Sequence, residues 1–226
     1  MKLLALDTAT DACSVALNIE GKVIEHFEVI PRRHSRELLP MVDGILAKAG
    51  LGIGDMDALA FGCGPGAFTG LRVATAMVQG LAFAVDLPVI PVSTLAALAQ
   101  QGLREQNARY VLSAIDARMG EVYWGAFVEE NGLMKPVIDE SVIAPFQIIT
   151  PDAEQHWFGM GTGWAFRDAI SATVTDCIVE TYPHALDIAL LAAADFKLGR
   201  LLPPEQAMPV YLRDKVALKK SERPAK

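Results

Sequence analysis

Apolar residues along this chain occur either in short uninterrupted runs or at spacings of three and four positions. Short runs that end at glycine or aspartate predict buried β-strands, and the spacing of three and four predicts amphipathic helices. In the first half these patterns predict strands over residues 2–6, 12–19, 23–30, 58–61 and 87–92, and helices over residues 34–49, 69–85 and 93–101. Short turns separate the first three strands, so we expect the chain to begin with an antiparallel meander.

The second half begins with the same pattern as the first. In each half an apolar strand ends at an aspartate, Asp7 or Asp116, and is followed by a tight connection and a second strand. Each half also contains the run Phe-Gly-x-Gly-x-Gly, which begins at Phe61 and at Phe158. Two matches in the same order indicate an internal duplication, with chance as the alternative in a chain that has 18 glycines.

Length and composition agree with two small lobes. A chain of 226 residues, of which 52 % are apolar, can bury a core without disulfides or metals. Given the duplication, we predict an N-terminal lobe over residues 1–104 and a C-terminal lobe over residues 105–226, with a polar, basic tail from about residue 215. Acidic residues outnumber basic ones by 27 to 20, which gives a net charge of −7. This balance excludes a non-specific nucleic-acid coat, and the apolar content excludes a disordered chain.

Cysteine use and the apolar pattern predict a cytoplasmic protein. The three cysteines are odd in number and form no close pair, which favours reduced thiols over a disulfide scaffold. The first apolar stretch reaches Asp7 too soon for a signal peptide. Polar residues and prolines interrupt the longest apolar region, residues 73–98, so we expect no membrane-spanning segment.

A duplicated strand–Asp–turn–strand unit is typical of the actin-like ATPase fold, which belongs to the ribonuclease H-like class. This is an α/β fold of two lobes, each with a mixed, typically five-stranded sheet flanked by helices. Its two hairpin loops hold nucleotide phosphates through backbone N–H groups, with glycine at the closest approach. Here Ala9 stands in the first loop where glycine is expected, and bulky Arg118 stands in the second. We interpret both loops as weakened nucleotide sites, in which Asp7 and Asp116 either organise a metal or cap their own turns.

A glycine-rich run, Gly64-Pro65-Gly66, leads into a helix that Thr69 is expected to cap. Such a loop either binds an anion at the helix N-terminus or packs the helix closely on the sheet. It matches neither a Walker motif nor a dinucleotide fingerprint. Together with both aspartate loops and the second glycine run, it defines the vestigial nucleotide-binding residues: Asp7, Thr8, Thr10, Gly64, Gly66, Thr69, Asp116, Arg118, Gly161 and Gly163.

Hydrolytic chemistry has little support in the sequence. The four histidines are scattered, with no His-x-x-x-His pair for zinc, and no Gly-x-Ser-x-Gly run is present. We therefore assign no catalytic residue and no metal ligand. The helix over residues 69–85 instead carries glycine and alanine on several sides, which permits close approach by its own sheet or by a second chain.

Several specific runs resemble the bacterial TsaB (YeaZ) family. They are Leu-Ala-Leu-Asp-Thr-Ala-Thr at 4–10, His-Ser-Arg-Glu-Leu-Leu-Pro at 34–40, Gly-Pro-Gly-Ala-Phe-Thr-Gly-Leu-Arg at 64–72, Asp-Ala-Arg-Met-Gly-Glu-Val-Tyr at 116–123 and Tyr-Leu-Arg at 211–213. The resemblance runs nearly from end to end. It implies a duplicated actin-like fold and a role in forming threonylcarbamoyladenosine next to the anticodon of tRNA.

The resemblance further implies a non-catalytic scaffold that dimerises with, and activates, the paralogous subunit TsaD. That paralogue carries a metal on a His-x-x-x-His helix, and the corresponding positions here are Thr94 and Leu98, neither of which can replace a metal-bound imidazole. A peptidase is therefore not expected. The resemblance implies the ATPase TsaE as a third partner and tRNA contact through the complex. It also implies ATP or ADP and a divalent metal in the complex, with no cofactor held tightly by this chain alone. The chain itself is expected to form a homodimer or a heterodimer with TsaD.

In that family the partner surface is formed by two N-lobe helices, which correspond here to residues 34–49 and 69–85. The predicted interface residues are His34, Leu38, Leu39, Met41, Val42, Ile45, Arg72, Val73, Ala74, Met77 and Gly80. The alternative hypothesis is an actin-fold ATP-dependent kinase or carbamoyl transferase that acts alone and uses Asp7 and Asp116. A third hypothesis is direct tRNA binding by lysines of the tail, which the acidic net charge disfavours as the main site.

Overall fold

Two β-sheets, one from each half of the chain, form the framework of the computed structural model, which describes residues 1–213. The basic tail predicted from about residue 215 lies outside the described residues. The strands of the first sheet are β1 Lys2–Asp7, β2 Ala12–Ile19, β3 Lys22–Val29, β4 Ala58–Gly64 and β5 Val89–Ser93. They lie in the order β3-β2-β1-β4-β5, so the predicted meander occupies one edge of this sheet.

The second sheet has six strands in the described chain. They are β6 Tyr110–Arg118, β7 Glu121–Glu130, β8 Leu133–Pro136, β9 Ser141–Ile143, β10 Phe158–Met160 and β11 Asp176–Ile178. The main order is β11-β10-β6-β7-β8, and β9 pairs with β7. The sequence patterns did not predict β8, β9, β10 and β11, because a strand of three or four residues is too short to show a period.

Both sheets follow one plan, an antiparallel meander whose first strand also pairs in parallel with a later strand. β1 pairs with antiparallel β2 and parallel β4, and β6 pairs with antiparallel β7 and parallel β10. The two aspartates occupy equivalent places, since Asp7 and Asp116 lie at or near the end of the first strand of their meander. The predicted α/β fold with two mixed sheets flanked by helices is confirmed.

Within the described residues, four α-helices cover the faces of these sheets. They are α1 His34–Ala49, α2 Phe68–Ala84, α3 Thr94–Gln106 and α4 Ala185–Lys197. α1 and α2 pack on one face of the first sheet and α4 packs on the other, while α3 packs on the second sheet and against α4. Packing therefore crosses the predicted lobe boundary at residue 104, because each half places one helix on the sheet of the other half. The boundary itself stays a prediction.

The helix ends follow local chemistry, with one correction to the sequence prediction. Ser93 caps α3, since its Oγ accepts from the N–H groups of the second and third residues of the helix at 3.1 Å. Gly50 ends α1 in a left-handed conformation with φ 65°. Thr69 does not cap α2, because the helix begins at Phe68 and its N-cap, Ala67, has no side chain that can accept.

Among the described residues, α2 is the one helix that is long and apolar enough to cross a membrane, judged by length and composition over Phe68–Val85. A core helix passes the same test, so this is weak evidence for a membrane segment. Here α2 packs on the first sheet through buried Leu71, Ala74 and Val78. The absence of a membrane segment and the cytoplasmic location stay predictions.

Candidate functional site

A cleft of about 400 Å³ opens between the two aspartate loops. Its walls are the turn after β1, the glycine loop before α2, the β6–β7 hairpin, and the last described residues of the chain. Four of the predicted vestigial nucleotide-binding residues line this cleft, namely Thr10, Gly66, Asp116 and Arg118. Thr69 is exposed but does not line the cleft, and the other five, Asp7, Thr8, Gly64, Gly161 and Gly163, are buried.

The first loop is closed around a buried carboxyl group. Asp7 is fully buried, and its Oδ1 accepts from the N–H of Ala9 at 3.1 Å. Its Oδ2 has no hydrogen-bond partner among the described residues. Because burial removes the carboxyl group from water, its pKa rises to about 7, although the Ala9 N–H and the charge of His184 oppose the rise. A Cβ on Gly62 would lie 1.9 Å from Oδ2, so glycine is required beside this carboxyl group.

The glycine loop fills the space beside the first aspartate loop. The N–H of Ala67 donates to the carbonyl of Ala9 at 2.7 Å, and Thr8 Oγ1 donates to the carbonyl of Gly70 at 2.7 Å. A Cβ on Gly66 would lie 2.5 Å from the Ala9 carbonyl oxygen, and one on Gly70 would lie 1.9 Å from that of Thr8. These glycines therefore let α2 pack closely on the loop, which favours the packing interpretation over an anion site.

The second loop is occupied by its own arginine. Asp116 Oδ1 accepts from the N–H of Arg118 at 2.7 Å, and Oδ2 pairs with the Arg118 guanidinium at 3.1 Å. The N–H of Asp116 donates to Thr162 Oγ1 at 3.1 Å, within the second glycine run. The flanking glycines, Gly161 and Gly163, pack against Ala114 of β6. Asp116 thus caps its own turn, and a bound cation would have to displace Arg118.

Thr94 and Leu98, at the positions that correspond to the paralogue's metal-binding histidines, are buried in the core. Thr94 Oγ1 donates to the carbonyl of Pro65, and Leu98 is buried between α3 and the second sheet. Within residues 1–213 no three His, Cys, Asp or Glu side chains are grouped so that they could hold a metal ion. Burial raises the pKa of the Cys13 and Cys63 thiols to about 12, so neither is a ready nucleophile.

The two predicted interface helices expose only part of the predicted interface set. Five of its residues are at most 3 % exposed, because they form the face that packs on the first sheet: Leu38, Met41, Val42, Ile45 and Ala74. The prediction that these five residues lie on a surface open to a partner is therefore wrong. The remaining six, which are exposed or half-buried, are His34, Leu39, Arg72, Val73, Met77 and Gly80. Whether they contact a partner stays a prediction.

Sequence reasoning missed Phe68, Tyr211 and Arg213 as site residues, although all three line the cleft. The Arg72 guanidinium lies 3.7 Å from the ring centre of Phe68, and the rings of Phe68 and Tyr211 are 5.3 Å apart. Arg72 Nε also donates to Tyr211 Oη at 3.2 Å, and Arg213 reaches the β6–β7 hairpin. The Tyr-Leu-Arg run at residues 211–213 was the one feature of the sequence that could have pointed to this part of the site. No local pattern in the sequence shows that this run packs against α2.

Comparison with known proteins gives a consistent set of relatives. The family model described as TsaD, tRNA N6-adenosine threonylcarbamoyltransferase, matches residues 26–220. The tRNA threonylcarbamoyladenosine biosynthesis protein TsaB of Escherichia coli K12 is 45 % identical over 227 residues, covering 97 % of this chain and 98 % of that protein. TsaB of Haemophilus influenzae Rd is 42 % identical over 229 residues, with 97 % of each chain covered. The structure of YeaZ from Pseudomonas aeruginosa is 49 % identical, with a TM-score of 0.92, and covers 93 % of this chain and 99 % of that one.

Proposed function

The chain belongs to the TsaB family, and from this premise we propose that it is a non-catalytic partner subunit in the formation of threonylcarbamoyladenosine on tRNA. In this role it dimerises with the metal-bearing paralogue TsaD and activates it in the cytoplasm. The ATPase TsaE completes the complex. ATP or ADP, a divalent metal and tRNA are bound by the complex rather than tightly by this chain alone.

The observation that carries the proposal is that the chain's own atoms close off both aspartate carboxyl groups, one by burial and the other by pairing. Asp7 is buried behind the glycine loop, and Asp116 is paired with Arg118. A phosphoryl-transfer site needs accessible carboxylates to hold a metal and accessible N–H groups to hold phosphate. An enzyme acting alone through Asp7 and Asp116 therefore has no support in this geometry, and a partner role is consistent with it.

The proposed partner surface lies on the exposed side of α1 and α2. Its members are the six exposed or half-buried residues His34, Leu39, Arg72, Val73, Met77 and Gly80. Small and apolar side chains on this side permit close helix–helix contact. Gly80 is the best probe of this surface, because a Cβ there would meet no atom within 4 Å.

The test is to measure binding of the purified chain to TsaD and tRNA modification by the mixture. We expect Gly80→Arg to fold as the wild type does and to lose both binding and tRNA modification. The matched control is Phe146→Arg, which changes an apolar residue of the second half that is 67 % exposed. Ala74→Asp is unsuitable because Ala74 is fully buried, and a charge there would disrupt the core. Unchanged binding by Gly80→Arg would refute the α2 surface.

Calorimetry on the isolated chain separates the scaffold from an enzyme that acts alone. We expect no tight binding of ATP with magnesium. Tight binding that Asp7→Ala abolishes would instead establish the kinase or carbamoyl transferase alternative. Light scattering of Gly80→Arg tests whether a second copy of this chain uses the same surface as TsaD.

A further inference from the structure

The last described residues run along α2 in the opposite direction to the helix. We call residues 207–213 the C-terminal strap. At its start, Gln79 Nε2 donates to the carbonyl of Ala207 at 2.9 Å. Near its end, Tyr211 accepts from Arg72 and packs on Phe68, which lies at the N-terminal end of the same helix. The strap thus spans three turns of α2.

The middle of the strap is seated on the end of β4. The N–H of Val210 donates to the carbonyl of Cys63 at 2.7 Å. A Cβ on Gly64 would lie 2.6 Å from the carbonyl oxygen of Val210, so the strap and β4 approach backbone to backbone. The strap is therefore anchored to the first sheet and to α2 at several points.

The far end of the strap is anchored to the second sheet. Arg213 is 14 % exposed, and its guanidinium pairs with Glu121 at the start of β7. The same group donates to the carbonyl of Arg118 at 3.4 Å and lies 3.5 Å from Met119 Sδ. One side chain thus joins the strap to the β6–β7 hairpin.

The hairpin that Arg213 contacts has an unusual backbone. Arg118 and Met119 both adopt left-handed conformations, with φ of 64° and 59°. Residues with a Cβ disfavour this region. Two such residues in succession persist when surrounding contacts hold them, and Arg213 supplies contacts from outside the hairpin.

We propose that the C-terminal strap couples the exposed side of α2 to the β6–β7 hairpin at the cleft. Arg72 belongs to both structures, since it lies on the proposed partner surface and donates to Tyr211 of the strap. A protein that docks on α2 therefore acts on the strap, and Arg213 transmits the change to the hairpin. The coupling is a property of this chain, whereas its use in partner docking rests on the proposed function.

Hydrogen exchange of the full chain tests the coupling. Arg213→Ala should raise exchange at residues 118–121 by at least about tenfold, because the hairpin loses its external anchor. Arg72→Ala should also raise exchange there, although Arg72 does not line the cleft. The effect of Arg72→Ala is the decisive one, because Arg72 contacts the strap and, among the described residues, can reach the hairpin only through it.

Arg109→Ala is the matched control. Arg109 pairs with Glu129 at 3.0 Å, at the other end of the same two strands, and does not touch the strap. It should leave exchange at residues 118–121 unchanged. If Arg213→Ala raises exchange there while Arg72→Ala matches the control, the strap does not transmit and the proposal is overturned. Unchanged exchange in both variants overturns it equally.

Addition of TsaD tests whether docking of a partner on α2 reaches the hairpin through the strap. Binding should slow exchange at residues 118–121 in the wild type and not in Arg213→Ala, which still binds. Equal slowing in both overturns the coupling of docking to the hairpin. If TsaD does not bind the wild type, the proposed function fails, and the isolated-chain experiment still decides whether the strap couples its two ends.

Discussion

Replacing Asp7 with asparagine should change how the stability of this protein depends on pH. Asp7 is fully buried, with Oδ1 bonded to the Ala9 N–H and Oδ2 without a partner among the described residues. Asparagine has the same shape and can retain the bond from Ala9 through its own carbonyl. The substitution therefore removes the titrating proton and leaves the packing beside Gly62 nearly unchanged.

The magnitude follows from the raised pKa of this carboxyl group. Well below pH 3.8 both the folded and the unfolded states hold the proton, and the group has no effect on the pH dependence of stability. Between the ordinary value of 3.8 and about 7, the unfolded chain ionises while the folded protein keeps its proton, so stability falls as the pH rises. The rise is about three pH units, and at 1.36 kcal/mol per unit the loss above neutral pH is about 4 kcal/mol.

Urea unfolding followed by circular dichroism, repeated between about pH 5 and pH 8, measures this effect. The difference between wild type and Asp7→Asn removes the contributions of titrating groups that do not interact with Asp7. We expect the variant to gain stability over the wild type from about pH 5 to about pH 7, and the difference to level off above that. Parallel curves would refute the reasoning, since they would show that Asp7 ionises in the folded protein near its ordinary pKa. An ionised Asp7 would also reopen a metal-binding role for it.

Two further substitutions test the packing of the fold. Gly70→Ala should lower the free energy of unfolding by about 2 kcal/mol or more, because its Cβ would meet the Thr8 carbonyl at 1.9 Å. Gly80→Ala, in open space on the same helix, should raise it by about 0.5–1 kcal/mol, and equal effects of the two in urea unfolding would contradict the close approach. Arg104→Ala should destabilise by about 3 kcal/mol, because it leaves the fully buried carboxylate of Asp187 without its paired guanidinium. A loss under about 1 kcal/mol in thermal unfolding would show that water or another group replaces the arginine.

Long periodic segments were predictable because their pattern is local. The helix pattern over residues 34–49 coincides with α1, and the strand pattern over residues 12–19 coincides with β2. The cap of α2 was misplaced at Thr69, because the Thr8 and Ala9 backbone, and not a side-chain cap, fits around the start of that helix. Four short strands of the second sheet were not predicted, because three or four residues are too few to show a period.

The candidate site was predictable only in part. The sequence correctly placed Asp7 and Asp116 at equivalent strand ends. It could not show that one carboxyl group is buried and the other paired, because both facts depend on contacts with distant segments. The apolar stripe of α1 was equally ambiguous, since a sequence pattern does not distinguish a helix face that packs on its own sheet from one that binds a partner.

The sequence by itself determined the duplicated strand–Asp plan, the mixed α/β class and the family, because each is written in short runs of neighbouring residues. Only the tertiary structure decided which glycines serve close packing, which helix residues remain at the surface, and how the strap of residues 207–213 joins α2 to the β6–β7 hairpin. Arg72 and Tyr211 show the reason, since they are 139 positions apart and their contact exists only once the strap has packed on α2. Burial and charge pairing depend on such distant contacts, and no local pattern encodes them.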